Sequence, residues 1–383
     1  MSDKAVKNIL ALMGALDGHI AGIIEILKDL VSLGHNVTCF VLEKFENRVK
    51  NIGAKLKIIP TPHIILPPNA PKIAMNSFTL AHCYDIIIED GIKTKEKYDY
   101  LIADSFFDCN VINQYYKIEN IISTFIFPIS IERKFLFETE EGRKKAFIRI
   151  NKKYNINIRD FIRMHYFPDA KYKFMLTSKY FHPDSPVIND DSFYFLGPSI
   201  EEKRQEISID FKKDENKKLI YISLGTVFNE NIDFYKKCIK TFENSKEFQI
   251  IMNIGQKCEV KDLGELPGNI AAFNFVPQIK ILKETDIFIT HGGINSVNEA
   301  IFEKLPLIVI PQNLDQIDNA KQIEKIKAGI SLDINNITPE ILKKAINNFI
   351  ENKETLKKGV EKIRQSFIES RKERKKVYEK IFG

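Results

Sequence analysis

A histidine and two glycines stand together where an apolar run gives way to a helical pattern. In DIFITHGGINSVNEAIFEK, His291, Gly292 and Gly293 follow the strand-like DIFIT and precede residues with helical spacing. Glycines let the backbone turn tightly and approach a ligand closely. A helix N-terminus offers unpaired N–H groups and the positive end of the helix dipole, which favour a phosphate. The stretch therefore predicts a phosphate site, with Asn295 or Ser296 able to cap the helix.

The same stretch has a plainer explanation when it is taken alone, because short motifs often match by chance. In that case His291 satisfies a buried carbonyl and the glycines serve packing. Three further stretches weigh against this alternative: SLGT (223–226), FVPQ (275–278) and DQ (315–316) each follow an apolar run. Because the carboxyl ends of parallel strands meet at one edge of a sheet, we expect all four stretches at that edge.

A second histidine, His19, lies in GALDGHIAG, between the first predicted strand and its helix. The glycines of this loop are not spaced as G-x-G-x-x-G and no P-loop lysine follows, so a dinucleotide site has little support. Asp104 ends another apolar run, YDYLIAD. A lone aspartate at such a position is commonly a cap of the following turn.

The elements that must position these residues alternate throughout the chain. Short apolar runs and amphipathic stretches follow one another in the order that builds parallel sheets covered by helices. A charged stretch with almost no apolar periodicity, SIEEKRQEISIDFKKDENK, separates two such series and is typical of a linker. The predicted organisation is an N-terminal domain (1–198), a linker (199–217), a C-terminal domain (218–360) and a terminal helix (361–383) that packs back toward the N-terminal domain.

Composition fits this organisation and excludes several classes of protein. A chain of 383 residues can bury two cores, since ~150 residues per domain is usual. Its 57 basic and 51 acidic residues are interspersed, and no basic arm with a recognition motif supports nucleic-acid binding. Five cysteines without a C-x-x-C pair argue against a disulfide framework and a structural zinc site, and for a reducing compartment. We expect a soluble, cytoplasmic protein.

No apolar stretch approaches the ~18 residues of a transmembrane segment. The terminal helix is basic, which leaves peripheral membrane contact as an alternative, but acidic residues are interleaved along it. We therefore favour a solvated face that packs on the body of the protein.

These stretches resemble glycosyltransferase family 1, which has the GT-B fold, and especially its bacterial macrolide glycosyltransferase branch. The resemblance covers nearly the whole chain, is strongest over 219–330 and is clear over 8–56. It implies an α/β protein with two Rossmann-like, doubly wound parallel-sheet domains facing across a cleft. The acceptor binds in the N-terminal half and a UDP-sugar in the C-terminal half, with no metal and no cofactor apart from this donor substrate.

The resemblance also assigns donor contacts residue by residue. Glu299 matches the position that binds the ribose hydroxyls, and Asp315 and Gln316 match the pair that holds the donor's sugar. Phe275 stands where the family usually has a tryptophan that stacks on uracil, and it retains an apolar aromatic face with less area. The full donor set is Ser223, Gly225, Thr226, Phe275, Val276, Gln278, His291, Gly293, Asn295, Ser296, Glu299, Asp315 and Gln316.

On the acceptor side, the family's G-H-x-x-P stretch places the catalytic base on His19. Ala21 and Gly22 replace the family's usual Asn and Pro, and losing a proline at a helix start costs rigidity. Asp104 matches the aspartate that hydrogen-bonds the histidine and stabilises its imidazolium form. Asp108 is the alternative partner.

The sequence therefore predicts an inverting, metal-independent hexosyltransferase. It moves a sugar, with glucose favoured, from a UDP-sugar to a hydroxyl of a small, largely apolar acceptor of macrolide, flavonoid or phenol type. Alternatives are a glycolipid or cell-wall transferase of the same fold, a UDP-sugar epimerase, and a non-catalytic nucleotide-sugar-binding protein.

Overall fold

The chain divides into two compact units in the computed structural model. The first unit comprises Met1–Lys179, Pro183–Ser199 and Glu369–Gly383, and the second comprises Tyr180–His182 and Ile200–Ile368. The predicted linker includes residues 201–207, which lie outside the described part of the chain. The described residues are 5–64, 72–126, 128–129, 137–158, 170–188, 190–200, 208–226, 229–312 and 314–383.

The first unit has a parallel sheet of seven strands in the order β3-β2-β1-β4-β5-β6-β7. Its strands are β1 (Asn8–Leu12), β2 (Asn36–Leu42), β3 (Lys55–Ile59), β4 (Tyr100–Asp104), β5 (Asn120–Phe125), β6 (Tyr172–Met175) and β7 (Phe193–Phe195). Its helices are α1 (Asp17–Ser32), α2 (Glu46–Val49), α3 (Lys72–Lys93), α4 (Cys109–Tyr116) and α5 (Phe137–Tyr154), with a 3-10 turn at Glu43–Phe45.

The second unit has a parallel sheet of six strands in the order β10-β9-β8-β11-β12-β13. Its strands are β8 (Lys218–Ser223), β9 (Phe248–Asn253), β10 (Ile270–Phe273), β11 (Ile287–Thr290), β12 (Leu307–Val309) and β13 (Gly329–Ser331). Helices follow as α6 (Ile232–Phe242), α7 (Gln278–Leu282), α8 (Ile294–Phe302), α9 (Leu314–Ile326), α10 (Pro339–Glu351) and α11 (Lys353–Phe382), with 3-10 turns at Val260–Leu263 and Ile334–Asn336.

These two sheets confirm the predicted α/β class with two doubly wound parallel sheets. In each sheet the order runs outward in both directions from the strand that comes first in the chain, β1 or β8. The strands of a parallel sheet are buried on both faces, which is why they read as continuous apolar runs. Strand β13 was not predicted, because three residues that include a glycine and a serine give no such run.

Strand β8 shows how one strand serves both the core and the site. Ile220, Ile222 and Leu224 face an apolar cluster that includes residues of α6 and α10. Since side chains alternate across a strand, Tyr221 and Ser223 lie on the opposite face. The ring of Tyr221 stacks on Phe288 with 4.9 Å between ring centroids. This second face carries the polar groups that are described below.

Helix α11 begins at Lys353, earlier than the predicted start at 361, and its residues from Glu369 onward belong to the first unit. There Arg374 is 5% exposed and donates hydrogen bonds to the carbonyls of Leu196, Gly197 and Pro198. Its guanidinium also lies 2.6 Å from a carboxylate oxygen of Glu25 on α1. Because a buried charge is costly unless it is paired and hydrogen-bonded, this arrangement fixes α11 against α1 and residues 196–198. In the described part of the chain, no helix combines the length and the apolar character that a membrane crossing requires.

Candidate active site

In the first unit, the structure pairs the two predicted catalytic residues. His19 lies in the first turn of α1 and Asp104 ends β4, the strand next to β1. Nδ1 of His19 is 2.6 Å from Oδ2 of Asp104, and the two residues are 5% and 2% exposed. An Nδ1–H that donates to a carboxylate sets the tautomer in which Nε2 can accept a proton. The pair therefore has the geometry of a general base with its orienting carboxylate.

Two residues that the sequence did not single out hold this pair in place. The ring of Phe106 stacks on the imidazole of His19, with 4.1 Å between centroids, and the Phe106 N–H donates to Oδ1 of Asp104. Gly14 lies against both members, since a Cβ atom there would be 2.6 Å from Cβ of His19 and 3.0 Å from Cγ of Asp104. The close approach of backbone and side chains thus requires a glycine at position 14.

The structure also separates the roles of the two candidate aspartates. Asp108 is the N-cap of α4, where its Oδ1 accepts a hydrogen bond from the Val111 N–H, and its own N–H donates to the phenol oxygen of Tyr84. Capping is therefore the role of Asp108, whereas the carboxylate of Asp104 lies against His19.

The departure from the family's proline at position 22 has a packing explanation. Helix α1 forms over Asp17–Ser32 without that proline and without a side-chain cap at Leu16. A Cβ atom on Gly22 would overlap Cγ2 of Ile126, and the Gly22 carbonyl accepts a hydrogen bond from Oγ of Ser199. A side chain at this position would displace the neighbouring β5 loop.

In the second unit, the two glycines after His291 shape the start of α8. Gly292 has a φ of +80°, and Gly293 is extended and forms the N-cap. Asn295 and Ser296 were predicted as possible caps, but they lie within the first turn, because the glycine pair starts the helix at Ile294. The first N–H groups of a helix lack an acceptor within the helix, and the positive end of the helix dipole suits an anion.

The imidazole of His291 is packed between two glycines. A Cβ atom on Gly225, where φ is +78°, would lie 2.5 Å from Nε2 of His291, and one on Gly293 would overlap the same atom. Desolvation in this packing lowers the pKa of His291 to about 4, against an opposing hydrogen bond with the Ser223 backbone. At neutral pH the ring is uncharged in the unliganded protein and offers a neutral N–H rather than a positive charge.

The β8 and β11 loops lie side by side because Ser223 is paired with Thr290 in the sheet. Ser223 is 1% exposed, and its Oγ accepts a hydrogen bond from the Gly225 N–H. Thr226, the next predicted contact, is exposed. The Ser223 hydroxyl, at the end of β8, therefore lies next to the loop that carries His291.

Three predicted donor residues share one hydrogen-bond network. Nε2 of Gln278, at the start of α7, is 3.2 Å from Oγ of Ser296 and 2.6 Å from Oε2 of Glu299 on α8. Its Oε1 lies 3.1 Å from the phenol oxygen of Tyr221. Ser296 is 8% exposed and Glu299 is 4% exposed. The network thus holds a buried carboxylate one helical turn inside the N-terminus of α8.

The remaining predicted donor residues flank this centre. Phe275 is 44% exposed, as a ring that stacks on a ligand must be in the free protein, whereas Val276 is buried. Gln316 is buried and its Oε1 accepts a hydrogen bond from the Gln312 N–H, and Asp315 beside it is half-buried.

The turn at Gly292 is tied to helix α9, which carries Asp315 and Gln316. Asn319 is fully buried on α9, and its Nδ2 donates to the Gly292 carbonyl at 2.9 Å. The sequence did not single out Asn319, because an asparagine inside an amphipathic helix gives no local signal. Across the described ranges, no three or more His, Cys, Asp or Glu side chains are grouped so that they could hold a metal ion.

Comparison with known proteins finds similarity to glycosyltransferases. Residues 244–377 match the family model of the erythromycin biosynthesis protein CIII-like C-terminal domain. The chain is 27% identical to the uncharacterized UDP-glucosyltransferase YdhE of Bacillus subtilis, with 95% of each chain covered. It is 24% identical to the oleandomycin glycosyltransferase of Streptomyces antibioticus, over 90% of this chain and 83% of that one.

A solved structure shares the fold along its length. The glycotransferase of kitacinnamycin superposes with a TM-score of 0.77 at 21% identity, covering 99% of this chain and 100% of the other. These matches confirm the resemblance that was drawn from the sequence.

Proposed function

We propose that this chain, a relative of the GT-B glycosyltransferases, is a UDP-dependent hexosyltransferase that glycosylates a hydroxyl of a small, largely apolar acceptor. The observation that carries the proposal is the buried pair of His19 and Asp104, 2.6 Å apart, in a chain whose second unit has a helix N-terminus suited to a diphosphate. A nucleotide-sugar-binding protein has no need of an imidazole that is oriented by a carboxylate.

In the proposed reaction, Nε2 of His19 takes the proton of the acceptor hydroxyl while Asp104 stabilises the resulting imidazolium. The hydroxyl oxygen forms a bond to the anomeric carbon of the donor as the bond from that carbon to the diphosphate oxygen breaks. Attack on the face opposite the diphosphate inverts the anomeric configuration, and UDP leaves.

The second unit would bind the donor and stabilise the leaving group. The N–H groups at the start of α8, the neutral imidazole of His291 and the hydroxyl of Ser296 face the diphosphate. Glu299 binds the ribose hydroxyls, and Phe275 stacks on the uracil. We propose that Asp315 and Gln316 hold the sugar, with glucose favoured, and that no metal ion takes part.

The apolar acceptor is supported by the surroundings of His19. Phe106 is half-buried and presents a flat aromatic ring beside the proposed base. A relative named for oleandomycin supports an acceptor of macrolide type, and a flat phenol or flavonoid would suit the ring equally. Two further aromatic stretches of the N-terminal half, KFLFE (134–138) and MHYFPD (164–169), have side chains that lie outside the described residues. All five cysteines are free, buried thiols, which supports a cytoplasmic location.

A thermal-shift panel followed by product analysis tests this function. UDP and UDP-glucose should raise the melting temperature more than TDP or GDP and their sugars do. Mass spectrometry of mixed phenolic and macrolide acceptors should then show glycosylated products. The matched control is His19→Ala, which should keep the UDP shift and lose the products. Stabilisation by UDP without any release of UDP from the donor would instead identify a binding protein.

A further inference from the structure

Tyr221 is a fully buried residue of β8, and the packing of its ring does not require a hydroxyl group. Its ring stacks almost parallel on Phe288, a contact that phenylalanine would make equally well. Its phenol oxygen lies 3.1 Å from Oε1 of Gln278. A buried hydroxyl costs free energy unless it is hydrogen-bonded, so this contact must be part of what the side chain does.

The contact sets the direction of a chain of hydrogen bonds. The phenol O–H donates to Oε1 of Gln278, which turns the amide NH₂ toward Ser296 and Glu299. An amide oxygen only accepts and an amide NH₂ only donates, so the chain runs in one direction. The Ser296 hydroxyl accepts from Gln278 and is thereby left to donate its own proton, within the first turn of α8.

We propose that Tyr221 is a positioning residue for donor binding. It fixes the amide of Gln278 and, through that amide, the Ser296 hydroxyl as a donor and the Glu299 carboxylate in its orientation. Tyr221 itself lies beneath the network and touches no substrate. The inference rests on the proposed function, because Ser296 and Glu299 are there assigned to the diphosphate and the ribose.

A phenylalanine at this position would remove the O–H and keep the stack. Oε1 of Gln278 would then be without the donor that fixes its orientation, and the amide would rotate more freely. The expected result is a loss of donor affinity, not only of stability. A residue with a purely structural role would lower the melting temperature and leave affinity unchanged.

The test compares Tyr221→Phe with Tyr235→Phe. Tyr235 is also fully buried in the second unit, and its phenol donates to the backbone carbonyl of Asn253 at 3.3 Å, away from the network. Both variants therefore lose one oxygen atom and the hydrogen bonding of a buried phenol. By calorimetry, Tyr221→Phe should raise the Kd for UDP about tenfold, whereas Tyr235→Phe should change it by less than about twofold. In turnover, Tyr221→Phe should raise the KM for UDP-glucose, and kcat should fall as well because Ser296 also faces the leaving diphosphate.

A double-mutant cycle identifies the route of the effect. Gln278→Ala, at a half-buried position outside the core, should weaken UDP binding at least as much as Tyr221→Phe. Adding Tyr221→Phe to Gln278→Ala should cost nothing further, because the two residues act through one chain of contacts.

Three results overturn the inference. The first is unchanged UDP affinity in Tyr221→Phe, and the second is unchanged affinity in Gln278→Ala. The third is an effect of Tyr221→Phe that persists in full when Gln278 has been replaced. A wild-type protein that binds no UDP overturns the proposed function itself, and the inference with it, so the two failures are distinguishable.

Discussion

A Cβ atom on Gly225 would lie 2.5 Å from Nε2 of His291, so the imidazole occupies space that a glycine leaves open. Gly293 closes the other side of the ring and, unlike Gly225, has a φ of −60° that any residue adopts. Gly293→Ala should therefore displace the imidazole without straining the backbone. Calorimetry should show that UDP affinity falls about tenfold or more, because the displaced ring loses its hydrogen bond to a charged group.

The control for this substitution is Gly268→Ala, because a Cβ atom at Gly268 meets no atom within 4 Å. This variant should bind UDP as the wild type does. Equal affinities in Gly293→Ala and Gly268→Ala would mean that the position of the His291 ring is not important for the donor.

The low pKa of His291 predicts how stability depends on pH. Burial lowers this pKa to about 4, whereas an exposed histidine titrates near ~6.5. Between these values the unfolded chain binds a proton that the folded protein does not, so the free energy of unfolding falls as the pH is lowered through this range. In His291→Asn, the decrease between pH 7 and pH 4.5 should be smaller. Denaturant titrations at several pH values measure the difference, and parallel curves for the two proteins would contradict it.

The pairing of His19 with Asp104 predicts a loss of turnover rather than of binding. His19→Ala should lower kcat ~100-fold or more while UDP affinity is unchanged, because a general base contributes about that much. Asp104→Asn should lower kcat by less. The control is Asp108→Asn, which keeps an oxygen that can cap α4 and should leave kcat unchanged. If Asp104→Asn behaves like Asp108→Asn, Asp104 has no role in the reaction.

Donor binding should depend on both the ribose and the diphosphate contacts. Glu299→Ala and His291→Ala should each weaken UDP binding by roughly 1.5 to 3 kcal/mol, as hydrogen bonds to charged groups do. Phe275→Trp should keep or improve this affinity, since a larger ring covers more of the uracil. Glu284→Ala, at an exposed glutamate of the same unit, is the control. Unchanged UDP affinity in all the site variants would show that the nucleotide binds elsewhere.

Turnover should persist in EDTA. The proposed leaving group faces the positive end of α8 and hydrogen-bond donors from His291, Ser296 and Thr226, which supply the stabilisation that a metal ion gives in other transferases. Initial rates with and without EDTA, on a flavonoid-like phenol and on free glucose, measure this. Activity that is lost in EDTA, or that favours free glucose, would refute this part of the proposal.

The sequence predicted the fold well wherever burial on both faces leaves a continuous apolar run. NVTCFVL is such a run and forms β2 over those residues, with six of the seven buried. The short β13 escaped prediction because its pairing with β12 depends on a close approach at Gly329, where a Cβ atom would overlap the carbonyl of Leu307. That contact joins elements that are separate in the sequence.

The site could be predicted only as far as its residues follow strand ends. His291 and Ser296 were predicted in this way and Glu299 from the family resemblance, whereas Tyr221 lies within an apolar run and looks like any core residue. Its proposed role depends on Gln278, a residue of another element, and the sequence pattern around Tyr221 does not indicate such a contact. The neutral state of His291 was likewise not predictable, because its pKa is set by packing that only the folded chain creates.

The contacts of helix α11 affect the order in which the two units can complete their folding during synthesis. Residues Glu369–Gly383 complete the first unit, and Arg374 supplies the partner for Glu25 and for the carbonyls of residues 196–198. A ribosome releases the chain from its N-terminus onward, and domains usually fold as they emerge. Here most of the first unit emerges early, but it lacks the C-terminal part of α11 until all of Ile200–Ile368 has been synthesised. The second unit, although it is translated later, is the first to have all of its residues outside the ribosome.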